Sequence, residues 1–116
     1  MKCNYMFYDI ELFTRIIDFI VQHDDEPECY LEMKDGTEVE FICYKHCIDA
    51  YIGEKYFKFN SITDFLDNMQ INNVPLRKCW GEVDYLGDNN DSSIDWTKEP
   101  TEQFLVIDGK IWYRAK

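Results

Sequence analysis

Basic residues are scarce in this chain. Twelve Lys and Arg stand against 23 Asp and Glu, a net charge of −11 in 116 residues. A nucleic-acid backbone and an anionic membrane surface are both held by clustered positive charge, so direct binding to either is not expected. Long apolar runs are also missing, and none approaches the roughly 18 residues of a membrane span. The opening MKCNYMFYDIE is broken by Asn4, Asp9 and Glu11, whereas a secretory signal needs a continuous apolar stretch. A cytoplasmic protein is the expectation. The five glycines leave no glycine-rich phosphate loop, and neither a nucleophile elbow nor a helical His-Glu-x-x-His occurs. No segment is of low complexity and none repeats.

What remains suits one folded domain over residues 1–116 with no linker. Hydrophobic residues make up 46% and aromatics 16%. Disorder is thereby excluded, and a chain of this size buries roughly two-thirds of its unfolded surface. Charge is unevenly spread. Residues 1–40 carry net −8, residues 41–80 net +1, and residues 81–116 net −4.

The periodicity predicts an α+β fold. Asp9 is suited to cap a helix over about residues 9–23, with Ile10, Phe13, Ile17, Ile20 and Val21 on one stripe. Leu12, Ile16 and Phe19 make a second stripe, which needs either more core or a second chain. Pro27 disfavours helix at the residue before it. Alternation then takes over, and hairpin register follows from the period of two. A three-residue loop, Lys34-Asp35-Gly36, pairs Leu31 with Val39 and Cys29 with Phe41. A turn at Lys45-His46 pairs Cys43 with Ile48, although a short helix over 45–52 competes there. A turn at Gly53-Glu54 pairs Ala50 with Phe57 and, on the opposite face, Tyr51 with Tyr56 and Asp49 with Lys58. All three loops assemble one apolar face, so a four-stranded antiparallel meander is expected over about residues 28–59. Ser61 and Asp64 resemble a capping box for a short helix over 62–69. Pro75 suits the first turn of another helix over 76–84. Residues 87–103 read as a loop, and residues 104–114 as a hairpin turning at Asp108-Gly109.

Three constellations could carry chemistry. Cys43, His46 and Cys47, with Cys29 nearby, have the residue types of a zinc knuckle but lack the second knuckle of the usual signature. The adjacent Cys47 and His46 could serve as nucleophile and base only if the fold made them converge. Without a metal or catalytic role these cysteines pack as small apolar side chains. In the loop, Asp88, Asn90, Ser92 and Glu99 fall at calcium-loop positions, but Ser93 stands where Gly is wanted and Pro100 follows. No cofactor is expected.

The most informative feature is the outer face of the meander. Tyr30, Tyr44, Tyr51, Tyr56 and Ile42 lie there among Glu32, Glu38, Glu40 and Asp49, with Asp24, Asp25 and Glu26 in the preceding turn. Tyrosine favours interfaces because a rigid apolar ring carries a polar tip. Carboxylates around it suit a basic protein partner, whereas a single-stranded nucleic acid needs a cationic groove. The competing reading is that helix 76–84 and the C-terminal hairpin cover the face. The expected function is a small acidic, non-enzymatic binding protein, of the inhibitor or immunity type, docking on a basic nucleic-acid-handling protein. The alternatives are a homodimer paired through helix 9–23 and a small Cys/His metal or thiol protein.

Overall fold

A computed structural model describes residues 9–23, 26–87 and 96, together with the backbone of 88, 104–107 and 110–113. Helix α1 runs Ile10–Gln22. Asp9 caps it, its Oδ1 accepting the N–H groups of Glu11 (2.8 Å) and Leu12 (3.1 Å), donors that the helix leaves unpaired at its start. Both apolar stripes are buried: Leu12, Phe13, Ile16, Ile17, Ile20 and Val21 all lie in the core, and Phe19 packs against it. The stripe that would have required a second chain is thus closed within this one.

Four antiparallel strands follow: β1 Glu28–Met33, β2 Glu38–Cys43, β3 Ile48–Ile52 and β4 Lys55–Phe59. The registers are those read from the alternation. Leu31 pairs with Val39, Cys29 with Phe41, Cys43 with Ile48, Phe41 with Ala50, Ala50 with Phe57, and Tyr51 with Tyr56. Gly36 takes φ +94° in the first loop and Gly53 φ +60° in the third, a region glycine enters freely. The Lys45-His46 connection closes with the Tyr44 N–H donating to the Cys47 carbonyl at 2.8 Å. Neither of its two residues has positive φ, and the competing helix over 45–52 does not form.

Helix α2, Ile62–Asn68, is capped by Ser61, whose Oγ accepts the Asp64 N–H at 3.0 Å. A small hairpin, β5 Gln70–Ile71 and β6 Val74–Pro75, turns on Asn72 and Asn73 at φ 52° and 68°. The helix expected over 76–84 is absent. Residues after Pro75 close in turns, Trp80–Glu82 form a single 3-10 turn, and Val83–Asp88 become strand β7. It pairs antiparallel with β1, giving a five-stranded sheet in the order β4-β3-β2-β1-β7. The register shifts at Glu32/Met33, so Met33 pairs with Val83 and Leu31 with Leu86. This bulge places two core residues three apart in sequence, the spacing that imitates a helix. The C-terminal hairpin, β8 Phe104–Ile107 and β9 Lys110–Tyr113, forms its own two-stranded sheet in the expected register, Phe104 opposite Tyr113.

One face of the large sheet carries the core. Phe13 of α1 is its hub, with its ring centroid 4.9 Å from that of Trp80, 5.6 Å from Trp96 and 6.1 Å from Phe41. Phe41 continues to Phe65 of α2 at 4.8 Å, and Phe65 to Phe59 at 5.6 Å. Such offset and edge-on pairs add to the burial energy. No helix among the described residues is long and apolar enough to cross a membrane.

Candidate docking face

The opposite face of the sheet carries the candidate site. Antiparallel pairing sorts its side chains into rows across the strands. The central row runs Gly87, Tyr30, Glu40, Tyr51, Tyr56. Beside it lies Tyr85, Glu32, Glu38, and on the other flank Glu28, Ile42, Asp49, Lys58. Tyr51 and Tyr56 are 37% and 52% exposed, large values for aromatic rings. Glu38, Glu40 and Lys58 are exposed, while Tyr30, Glu32, Ile42, Tyr44, Asp49 and Tyr85 are half-buried. The segment expected to cover this face as a helix does not do so: Leu76, Trp80 and Val83 are buried in the core.

The phenols are tied to the carboxylates. Tyr30 Oη lies 2.9 Å from Glu32 Oε2 and 2.7 Å from Glu38 Oε1. Glu32 and Glu38 are directly opposed on adjacent strands, where like charges repel, and the phenol sits between them. Hydrogen bonding to Glu38, then to Glu32, pushes the Tyr30 phenol well above its ordinary value. Tyr56 Oη donates to Asp49 Oδ1 at 2.7 Å, which pushes that phenol up to about 12. Burial, then the charge of Asp49, raises Tyr44. The Tyr51 and Tyr56 rings stack with centroids 5.3 Å apart, and Tyr30 meets Tyr85 at 5.8 Å. A shallow hollow opens between Glu38, Glu40, Tyr51 and Gly53. These contacts fix aromatic and anionic groups in place before any partner arrives, which lowers the cost of ordering them on binding.

Of the residues expected here, Tyr30, Glu32, Glu38, Glu40, Tyr51 and Tyr56 share the rows. Tyr44 and Glu26 lie at the end of the sheet, and Asp24 and Asp25 fall outside the described residues. Ile42, Asp49 and Lys58, also expected on this face, lie in the flanking row, whereas Tyr85, Gly87 and Glu28 were not named for it. Tyr85 and Gly87 could have been found from the Tyr-x-Gly spacing around a buried Leu86, had residues 83–88 been read as a strand.

Of the thiol and metal candidates, Cys47 borders this face, where it acts electrostatically on Tyr44 and Tyr56. Cys29 and Cys43 are buried on the core side, Cys47 is half-buried, and His46 is exposed in the turn. Cys43, Cys47 and Cys79 are free thiols. Among the described residues no three His, Cys, Asp or Glu side chains are grouped to hold a metal ion. In the calcium-like pattern, the Asp88 side chain, Asn90, Ser92 and Glu99 lie outside the described residues.

No protein-family model matches the chain, and no solved structure does. Among curated proteins it is similar to the calpain-1 catalytic subunits of mouse and rat. The mouse protein is 27% identical and the rat protein 26%, each over 89 residues, covering 72% of this chain. The chain spans about 12% of the length of these relatives, and the catalytic activity in their name belongs to those longer proteins.

Proposed function

We propose that this protein is a small acidic binding module that docks through the outer face of its sheet on a basic protein, in the manner of an inhibitor or immunity protein. The observation that carries this reading is the open array of Tyr51 and Tyr56 beside Glu38 and Glu40, with Tyr30 and Tyr56 hydrogen-bonded to neighbouring carboxylates. Exposed tyrosines supply contact area with few rotamers to freeze, and carboxylates select a partner of opposite charge and speed its approach. The net charge of −11 extends that attraction beyond the contact itself. A nucleic-acid-handling protein is the natural class of partner, because its phosphate-binding surface is basic.

The test has two parts. The immobilised protein is used to capture partners from lysate, with elution in a salt gradient and identification by mass spectrometry. The affinity of the identified partner is then measured for the native chain and for Glu38→Lys with Glu40→Lys. A basic partner should elute as salt rises, and the charge reversal should cost about 2 kcal/mol or more of binding. Unchanged affinity in the reversed variant refutes the reading.

A further inference from the structure

We propose that the cleft between the β1–β2 loop and the β5–β6 hairpin binds a small organic cation with an apolar body. This cleft is independent of the outer face. It has a volume of about 220 Å³ and is lined by Met33, Asp35, Ile71, Asn72, Val74, Cys79 and Glu82. Its floor is apolar: Met33 and Ile71 are 3% and 5% exposed, while Val74 is left 39% open to solvent. Its charged rim groups among the described residues are both carboxylates, Asp35 and Glu82, and no described Lys, Arg or His lines it. A few convergent polar groups on an apolar floor is the usual composition of a ligand site, and this volume falls below the roughly 300–1,000 Å³ of drug-sized pockets. The occupant is therefore small, and its charge is positive.

The rim is built rather than incidental. Asp35 Oδ1 accepts the Thr37 N–H at 2.9 Å, and Asp35 Oδ2 accepts from Asn72 Nδ2 at 2.8 Å, which ties the two hairpins across the cleft. These hydrogen bonds, the Thr37 N–H first, hold the Asp35 carboxyl below its usual range, so it stays anionic. Glu82 is fixed to the β1–β2 loop by its carbonyl, which accepts the Lys34 N–H at 2.8 Å. Cys79 lies with Sγ 3.8 Å from the Val74 carbonyl. Burial, with Glu82 and Asp35 adding, pushes its thiol up. Cys79 is thus a neutral wall of the site, and its thiol provides a built-in reporter.

The test uses that reporter. Cys79 is labelled with methanethiosulfonates that are neutral, cationic or anionic, and its modification is followed by peptide mass spectrometry, with half-buried Cys47 as the internal control. The preference of Cys79 for the cationic over the anionic reagent should be about tenfold larger in the folded chain than in the urea-unfolded chain. Glu82→Gln, alone and with Asp35→Asn, should reduce that preference at Cys79 only. Millimolar phenethylamine should slow the neutral reagent at Cys79, and phenylacetate should not. Circular dichroism confirms that each variant is folded, and Glu82→Gln keeps the test sound if the double variant is not. Absence of amine protection, equal protection by amine and acid, or protection that survives in a folded variant lacking the rim carboxylates would each overturn the proposal.

Discussion

The hydrogen bond from Tyr56 to Asp49 has a consequence that can be titrated. The phenol sits at about 12 in the folded chain against an ordinary 10.0, so the folded state keeps this proton where the unfolded state has lost it. The stabilisation is complete below pH 10 and is lost as pH rises through about 12. Asp49→Asn should return this phenol toward 10.0, read as tyrosinate absorbance on a chain shown to be folded. A titration that does not move would place the perturbation elsewhere. Legibility was good for single residues where the signal was local. Asp9, Ser61 and Gly36 all act as their chemistry requires. The phenol–carboxylate bonds were not legible, because Tyr30 and Glu38 are eight residues apart and meet only once β1 and β2 are paired.

Strand β7 shows where pattern reading failed and why. Leu76, Cys79, Trp80 and Val83 recur at helical spacing, yet the run holds two turns and a strand rather than a helix. The bulge opposite Glu32/Met33 accounts for Val83 and Leu86 both facing the core at a spacing of three. The free edge of β1 supplies backbone partners that an isolated two-turn helix lacks. A Cβ on Gly87 would meet the Tyr85 ring at 2.6 Å, so the ring folds over a glycine that leaves room for it. Gly87→Ala should therefore destabilise the fold by about 1–3 kcal/mol, and the cost should shrink in a Tyr85→Ala background, because the two positions share one contact. Urea unfolding of the four-variant cycle measures the coupling, and additive costs would show that the Tyr85 ring is not what the alanine strikes.

Across the whole molecule, the sheet has one buried face, one acidic face and two edges. Edge β4 carries Lys55 at the rim of the inner face, opposite Ile52, and Lys58 on the outer face, opposite Asp49. Charged side chains on an edge deter pairing with another chain's strand. Lys55→Val with Lys58→Val should raise the mass seen by light scattering above that of the native protein, and a variant whose mass does not change would show that the edge is protected otherwise.

The α+β class, helix α1 with its cap, the four-stranded meander with its register, and α2 all followed from residue order. Each rests on local chemistry or on a period that a one-residue slip would invert. Long-range packing settled the rest. It chose β7 over a helix, because strand pairing with β1 outweighs a weak local preference. It closed the second stripe of α1 inside the chain, where Leu12 and Ile16 are buried and Phe19 packs against the core, because the core that covers them assembles only after the chain has folded back. It set tyrosines beside carboxylates on an open face, and it brought Asp35 and Asn72, 37 residues apart, to the rim of one cleft.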